Sequence, residues 1–307
     1  MAAKIVVVGS FNADLTSYMA RMPRPGETVA GQRFVTGPGG KGSNQAVAAA
    51  RLGAAVTFIG RIGQDVFASI ALDCWKEAGI NTDYVVQDPE HSTGVAPIFV
   101  DESGENSIVV VLGANLAVSR EDVDAAAEII VGADILLTQL EINYDTTSYA
   151  LKVAKEQGVM SILNPAPAGQ VPDDLVALAD IITPNETELE VLSGLAGVTT
   201  EEAAGSLLKH DRQMIIVTLG AQGARLVDGS GSALIPAYQI DVVDTTGAGD
   251  AFNGGLAVGL AEGMGQREAI AFANATAALC VTRPGTAPSM PKRSEVEALL
   301  SGRWMLD

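Results

Sequence analysis

The chain has few cysteines, few basic residues and no long apolar run. Its two cysteines, Cys74 and Cys280, are too few for a disulfide framework and lack metal-ligand spacing, which favours a reducing, cytoplasmic compartment. Apolar residues make up 48% of the sequence, yet no run approaches the roughly 20 residues needed to cross a bilayer. We therefore expect a protein with a large core and no membrane partner.

The shortage of basic residues limits the possible partners. There are 19 lysines and arginines against 37 aspartates and glutamates, which gives a formal net charge of −18. A nucleic-acid backbone or an anionic lipid surface would be repelled by such a chain. A small anion can still bind where backbone N–H groups, a lysine and a metal ion overcome this field locally.

Short β-branched runs alternate with alanine-rich helical stretches along most of the chain. This alternation is typical of an α/β fold in which a mostly parallel central sheet carries helices on both faces. Core strands are predicted at Ile5–Val8, Val56–Gly60, Ile135–Thr138, Ser161–Leu163, Ile181–Thr183, Ile215–Leu219 and Arg225–Val227. We expect a single domain over residues 1–307.

Two segments interrupt this alternation. Residues from about 14 to 37 and from about 93 to 113 are extended and rich in β-formers, and the second contains a turn over Ser103–Asn106. These strands are too few to be stable alone in water. We therefore expect a small second sheet that either folds over the main domain as a lid or pairs with a second subunit.

Glycine is in excess, with 33 copies that cluster beside polar residues. The run DTTGAGD, Asp244–Asp250, follows the strand-like Ile240–Val243 and precedes a helical pattern. Gly247 and Gly249 allow a tight turn, and the unpaired N–H groups of a helix's first turn bind anions. Asp250 would lie in that turn, where the helix dipole favours the carboxylate but lowers its basicity. A plain helix N-cap is the alternative interpretation.

A second glycine run, Gly37–Asn44 (GPGGKGSN), contains the pattern G-x-G-x-x-G. That pattern indicates a dinucleotide-binding fold when it follows the first core strand, and here it follows a predicted strand of the second sheet. The run supplies a flexible backbone, a cation at Lys41 and an amide at Asn44, a set that can hold hydroxyls and a phosphate. A connecting turn before a helix is the simpler alternative.

The segments GGKGSNQAVAAARLG (Gly39–Gly53) and DTTGAGDAFNGG (Asp244–Gly255) resemble the paired signatures of the ribokinase-like carbohydrate kinase family. The resemblance runs from about residue 4 to 300. It implies a three-layer α/β sandwich with a β-sheet lid, a homodimer formed through that lid, and ATP-dependent phosphorylation of a sugar hydroxyl with Mg²⁺ and a monovalent cation, K⁺ being expected. Ribose is the first expectation for the sugar. Alternatives are 2-deoxyribose, fructose, a nucleoside, or a non-catalytic sugar-binding role.

The resemblance also implies roles for individual residues. The base would be Asp250, beside an anion hole formed by Gly247, Ala248 and Gly249. The sugar-binding set would be Asn12, Asp14, Gly40, Lys41, Gly42, Ser43, Asn44, Glu141 and Asp250. The nucleotide-binding set would be Asn185, Glu188, Thr218, Gly220, Gly223, Gly249 and Asn274. The monovalent-cation set, acting mostly through backbone oxygens, would be Asp244, Thr246, Cys280, Arg283, Gly285 and Ser289.

Local structure offers other interpretations of some of these residues. Asn12 and Asp14 would also suit an Asx turn after the first strand. Asn185 and Glu188 lie three apart, so they fit a helix capping box as well as a site where Glu188 reaches Mg²⁺ through water. Asn274 would fit a packing contact inside a helix from about 267 to 281.

Overall fold

The computed structural model describes residues 2–169 and 171–302, and within them the central sheet has nine strands. These are β1 (Lys4–Val8), β4 (Ala55–Gly63), β5 (Asn81–Asp88), β8 (Ile135–Thr138), β9 (Met160–Leu163), β10 (Ile181–Ile182), β11 (Met214–Thr218), β12 (Ala224–Asp228) and β13 (Gly231–Ile235). Their order is β13-β12-β11-β10-β9-β8-β1-β4-β5. Neighbouring strands are parallel from β5 to β11, while β12 and β13 form an antiparallel hairpin at one edge.

All the predicted core strands are present, and the sequence missed only the two edge strands of this sheet. Both β5 and β13 are half-exposed, so neither carries the continuous apolar run that marks a buried parallel strand. The strand predicted at Ile240–Val243 was wrong. That segment is irregular, and the N–H groups of Val243 and Asp244 donate instead to the carbonyl of Val281 at 2.8 and 3.1 Å.

The second sheet has, in the described part of the chain, four strands in the order β3-β2-β6-β7. They are β2 (Asn12–Met19), β3 (Gly31–Gly39), β6 (Gly94–Val100) and β7 (Asn106–Ile108). The β2–β6 pair is parallel and the two outer pairs are antiparallel. The two extended segments predicted from the sequence therefore form one small sheet, and the predicted turn connects β6 to β7.

Helices cover both faces of the central sheet. They are α1 (Lys41–Arg51), α2 (Ala68–Ala78), α3 (Arg120–Ala125), α4 (Ala127–Val131), α5 (Tyr144–Gln157), α6 (Asp173–Leu178), α7 (Glu186–Ser193), α8 (Thr200–Leu207), α9 (Ala248–Ala261), α10 (Gln266–Cys280) and α11 (Arg293–Leu300). Short 3₁₀ turns occur at Gly113–Ala117, Gly220–Gln222 and Ala287–Ser289. Among the described residues, no helix combines the length and apolar character needed to cross a membrane.

The side chains of β1 show how the three layers form. Ile5 and Val7 pack into one core cluster with side chains of α1, α2, α9 and α10. Val6 and Val8 pack into a second cluster with side chains from α3 to α8. Since successive strand residues point to opposite faces, an uninterrupted apolar strand is what a sheet covered on both sides requires.

Helix α9 lies very close to α1. A Cβ atom added to Gly254 would lie 2.6 Å from Cβ of Ala48 and 2.9 Å from the carbonyl oxygen of Gln45. Only glycine leaves room for this approach, because carbon atoms in contact normally stay about 3.5–4.0 Å apart. The spacing between the two helices therefore depends on residue 254.

We predict that Gly254→Ala forces α9 away from α1 and lowers the free energy of unfolding by about 1–3 kcal/mol. The matched control is Gly205→Ala in α8, where an added Cβ meets nothing within 4 Å and φ is not in the left-handed region. That control should be more stable by about 0.5–1 kcal/mol, because alanine favours the helix. Urea denaturation measures both values, and equal effects would contradict the steric explanation.

Candidate active site

Two members of the predicted sugar-binding set, Asn12 and Glu141, lie just after the carboxyl ends of β1 and β8. These strands are neighbours in the sheet, and the chain leaves β1 towards β4 on one side and reaches β8 on the other. Crevices for ligands form at such points in open α/β sheets. Strand β1 leads into Gly9–Asn12 and β8 leads into Gln139–Glu141, so the first polar groups of both segments meet here.

Glu141 connects three segments of the site. Its Oε2 atom accepts hydrogen bonds from the hydroxyl of Ser10 (2.5 Å), the side-chain amide of Asn12 (3.3 Å) and the backbone N–H of Lys41 (2.9 Å). The donors that the described residues provide all reach this one oxygen, which leaves Oε1 for a ligand. Three members of the predicted sugar-binding set, Asn12, Lys41 and Glu141, are thus brought together.

Asn115, which was not predicted as a site residue, holds Asn12 in place. Its side chain accepts from the N–H of Phe11 (3.0 Å) and donates to the carbonyl of Phe11 (2.8 Å) and to Oδ1 of Asn12 (3.0 Å). Because Oδ1 of Asn12 is used as an acceptor, its Nδ2 group is directed at Glu141. Asn115 lies in the 3₁₀ turn after the second sheet and belongs to no recognised motif.

Asp250 lies in the first turn of α9 and is buried. Asn44 donates from Nδ2 to Oδ2 of Asp250, and Gln45 donates from Nε2 to Oδ1, both at 2.9 Å. The Oδ1 atom of Asn44 is buried and has no hydrogen-bond partner in the described part of the chain. Because a buried acceptor without a partner is costly, this atom is suited to accept a ligand hydroxyl.

The pKa of Asp250 depends on burial as well as on its position in the helix. Burial raises this pKa, although the charge of Lys41 and the amides of Asn44 and Gln45 oppose the increase. Burial alone would lower the pKa of Lys41, but the surrounding carboxylates, led by Asp250, raise it, so this lysine is a cation.

The anion hole predicted at the start of α9 has fewer free N–H groups than expected. Gly247 has φ +82°, which favours glycine at the turn. The N–H group of Ala248 donates to the carbonyl of Thr245 at 3.2 Å, so it is already engaged. The N–H groups of Gly249 and Asp250 belong to the same first turn, which leaves them without a partner inside the helix and able to bind an anion.

The glycines of the second run, Gly37–Asn44, allow its backbone to pack closely against the segment after β1. At Gly40, where φ is +86°, an added Cβ would lie 2.6 Å from the backbone nitrogen of Asn12, and at Gly42 it would lie 2.5 Å from that of Ser10. Ser43 was predicted to bind the sugar. In the structure its buried hydroxyl accepts from the indole N–H of Trp75 at 2.9 Å. The Ser43 side chain is therefore part of the core and not of a sugar-binding set.

Two adjoining cavities extend from Asp250. The smaller, of about 170 Å³, is lined among others by Lys41, Glu188 and Asp250. The larger, of about 510 Å³, has apolar walls that include Ile240, Val242 and Phe252. Residues that line both cavities are Asn185, Thr218, Thr245, Ala248 and Gly249. The remaining members of the predicted nucleotide-binding set line the larger cavity, namely Gly220, Gly223 and Asn274.

Asn185 and Glu188 form the capping box at the start of α7. The N–H of Asn185 donates to Oε2 of Glu188 (2.9 Å), and the N–H of Glu188 donates to Oδ1 of Asn185 (2.8 Å). Among the described residues no group of three or more histidine, cysteine, aspartate or glutamate side chains is placed to hold a metal ion. A single carboxylate with a free Oε1 fits Mg²⁺, which proteins commonly hold through phosphate oxygens and water.

The predicted monovalent-cation set is assembled from two segments. The carboxylate of Asp244 accepts from the N–H of Thr246 and from the N–H of Gly285, both at 2.9 Å. The Cys280 sulfur lies 3.0 Å from the hydroxyl of Ser289 and 4.0 Å from the carbonyl oxygen of Thr246. The two segments that carry the predicted cation set are therefore joined by hydrogen bonds at Asp244 and by the contacts of the Cys280 sulfur.

The side chain of Arg283, a member of the predicted cation set, is engaged elsewhere. Its guanidinium forms an ion pair with Glu295. Thr286, which lies in the second of these segments, donates to the carboxylate of Asp14 at 3.1 Å and to the carbonyl of Pro38 at 2.7 Å. Thr286 thus connects the cation segments to the second sheet. Like Ser10 and Gln45, it was not predicted from the sequence as a site residue.

Comparisons with known proteins agree with this geometry. A model of the pfkB family of carbohydrate kinases matches residues 2–293. The chain is 42% identical over 299 residues to a ribokinase of Haemophilus influenzae, covering 96% of this chain and 97% of that protein. It is 40% identical over 301 residues to a deoxyribokinase of Salmonella typhi, covering 97% and 98%.

Solved structures give the same result. Arabidopsis thaliana ribokinase complexed with ribose and ATP superposes with a TM-score of 0.90 at 36% identity, covering 98% of this chain and 99% of that one. A Xylella fastidiosa fructokinase with bound ATP superposes with a TM-score of 0.84 at 25% identity, covering 99% of both chains. The central sheet, the flanking helices and the small second sheet are therefore shared with carbohydrate kinases.

Asp14 should make the protein less stable as the pH rises. Burial raises its pKa from 3.8 to about 7, and the nearby carboxylates of Glu141 and Asp250 add to this shift. Between these values the folded protein keeps a proton that the unfolded chain has lost, so the free energy of unfolding falls with increasing pH. Asp14→Asn removes this contribution.

The stability of Asp14→Asn relative to the parent should therefore increase from about pH 5 to about pH 8. Urea denaturation at the two pH values measures the difference. A difference that stays constant would contradict the raised pKa of Asp14.

Proposed function

The chain belongs to the pfkB family of carbohydrate kinases, and we propose that it transfers the terminal phosphoryl group of ATP to the 5-hydroxyl of D-ribose. It is a carbohydrate kinase of the ribokinase type. The observation that carries the proposal is the order of groups along the crevice: a polar set around Glu141, then Asp250, then a small cavity with Lys41, then a larger apolar cavity. A sugar, a triphosphate and a nucleobase match these regions in the same order.

Ribose is supported by the buried acceptors and donors of the sugar region. Oε1 of Glu141 and the unpartnered Oδ1 of Asn44 can each accept a hydroxyl. A substrate that lacks one hydroxyl would leave such a buried group unpaired, which is how a polar site discriminates between similar sugars. Because a deoxyribokinase is among the similar proteins, 2-deoxyribose is the second candidate.

Asp250 would accept the proton of the attacking hydroxyl. Its burial raises its pKa and so favours proton uptake, while the charge of Lys41 and the two amides favour the ionised carboxylate. The N–H groups of Gly249 and Asp250 and the charge of Lys41 would stabilise the phosphoryl oxygens. In a loose transition state the hydroxyl loses its proton late, so the carboxylate mainly orients the hydroxyl.

We extend this proposal to the ions. When bound to the triphosphate, Mg²⁺ neutralises charge on the phosphate oxygens. Glu188 would hold it through water, and the carbonyls near Thr246 and Cys280 would hold a monovalent cation, K⁺ in preference to Na⁺. The support is the free oxygen of Glu188 and the hydrogen bonds that join the two cation segments at Asp244.

We further propose that the protein is a cytoplasmic homodimer in which the second sheet pairs with its copy. This sheet and the strand-like residues after β7 expose an apolar surface, made up of Phe34, Val35, Ile108, Val109, Val110 and Val111. Cys74 and Cys280 are both free thiols, as a reducing compartment would allow. The same sheet would close the sugar region as a lid at residues of about 14–37 and 93–113.

The kinase proposal predicts ADP release that requires ribose, Mg²⁺ and a monovalent cation. An assay over a panel of pentoses, hexoses and nucleosides, each with K⁺ and with Na⁺, should give its highest kcat/KM with ribose and K⁺. If kcat/KM is highest with 2-deoxyribose or with a nucleoside, that compound and not ribose is the substrate. Failure with every sugar and nucleoside would favour a non-catalytic sugar-binding role.

In the same assay Asp250→Asn should lower kcat by about 10²–10⁴-fold, the usual contribution of a general base. ATP affinity, measured by calorimetry without sugar, should be unchanged, because the nucleotide cavity does not depend on this proton acceptor. Activity that persists in the variant would exclude Asp250 as the base while leaving the kinase assignment in place.

If the second sheet forms the proposed dimer interface, a variant with charged residues on that sheet should be monomeric. The double variant Phe34→Glu and Val109→Glu places like charges on that surface of each copy, so light scattering after gel filtration should give half the parent's mass. Val66→Glu is the control, because Val66 is 78% exposed and lies outside both sheets. A parent that is already monomeric would contradict the dimer.

A further inference from the structure

Three buried amides form a continuous chain of hydrogen bonds behind Asp250. Gln139 donates from Nε2 to Oε1 of Gln45 at 2.6 Å. Gln45 in turn donates from Nε2 to Oδ1 of Asp250 at 2.9 Å and to Oδ1 of Asn164 at 3.0 Å. All three amide side chains are buried.

This chain allows only one orientation of the Gln45 side chain. Its Nε2 group must face Asp250, because a carboxylate oxygen accepts and does not donate, so its Oε1 atom faces Gln139. The acceptor role of Asn164 is set in the same way, since its Nδ2 group donates to the carbonyl of Thr183 at 3.1 Å. Both hydrogens of the Gln45 amide therefore have fixed acceptors, and one of those acceptors is the carboxylate of Asp250.

Gln45 lies outside the cavities that would hold the substrates. Of the described residues that line the two cavities beside Asp250, Asn164 and Asp250 are members of this network and Gln45 is not. A direct role in binding the phosphates or the nucleobase is therefore excluded by its position. Its contact with the reaction passes through Asp250.

We propose that Gln45 is a positioning residue that fixes Oδ1 of Asp250, so that Oδ2, which lies beside Asn44, is the oxygen presented to the sugar hydroxyl. This inference rests on the proposed function, in which Asp250 accepts the proton. A neutral amide suits the task because it restrains the carboxylate without neutralising it. A lysine or arginine in the same place would form an ion pair and weaken the base.

The hydrogen bond from Gln45 also has a consequence for proton uptake. It stabilises the ionised form of Asp250 and so opposes the increase in pKa that burial causes. Without it, Asp250 should take up a proton at higher pH. The kinase would then lose activity on the acid side of its pH profile and keep it on the alkaline side.

The test compares Gln45→Met with the parent, because methionine is similar in length and unbranched but cannot donate. In Gln45→Met the acid limb of the kcat profile should move up by about one pH unit. At low pH the activity should fall about tenfold, and above the limb it should approach that of the parent. The KM for the sugar should change little, since Gln45 lies behind the base.

Gln213→Met is the matched control. Gln213 is also a fully buried amide, and it donates to the carbonyls of Val176 and Ala179 at 2.7 and 2.8 Å in the other core cluster. Both variants should lower the melting temperature, but only Gln45→Met should move the acid limb. An equal loss of activity at every pH in Gln45→Met would show a purely structural role and overturn the proposal.

A measurement without substrate separates this inference from the proposed function. Carbon-13 NMR of the aspartate carboxyl groups, with Asp250→Asn used to assign the signal, should show a higher Asp250 pKa in Gln45→Met than in the parent. An unchanged pKa would overturn the proposal even if the protein is a kinase. If Gln45→Met does not fold, Gln45→Leu, which also lacks a donor, should shift the same signal in the same direction, and no shift there would equally overturn it.

Discussion

The close contact between α1 and α9 is the constraint on which the site depends. Asp250 begins α9 and the amides of Asn44 and Gln45 lie in α1, so their hydrogen bonds form only if the two helices almost touch. Gly254 makes this possible, because any side chain there would meet Ala48 and the backbone of Gln45. The base and the residues that hold it are thus positioned by a packing requirement one turn away from the chemistry.

Burial of several carboxylates around one lysine is the second organising feature. Each carboxylate is held by a different set of hydrogen-bond donors. Three donors converge on one oxygen of Glu141, a capping box holds Glu188, two amides hold Asp250, and the hydroxyl of Thr286 contacts Asp14. Because charged groups are costly to bury without partners, these bonds make the cluster tolerable and also restrict how each carboxylate can turn. Because the carboxyl groups of this cluster outnumber its one lysine, the site suits ligands that bring hydroxyl groups and cations.

The errors of sequence reasoning have physical causes that can be named. Ser43 stands in a motif full of ligand-binding candidates, but on α1 its hydroxyl points to Trp75 in the core. Ile240–Val243 is as β-prone as a strand, yet it is irregular, and the N–H of Val243 donates to the carbonyl of Val281, just after α10. The basicity of Asp250 was judged from its helix position alone, whereas burial, which depends on distant segments, raises its pKa.

Local patterns in the sequence determined the α/β alternation, the core strands, the small second sheet and the two glycine runs, because these depend on side-chain periodicity and on backbone freedom within a few residues. They also determined the family, through two long motifs. Only the tertiary structure decided which motif residues face a ligand, that Asn115 holds Asn12, and that Gln45 holds Asp250. These contacts join residues about 100 to 200 positions apart. No local pattern encodes such distances, since they arise when the sheet and its helices pack.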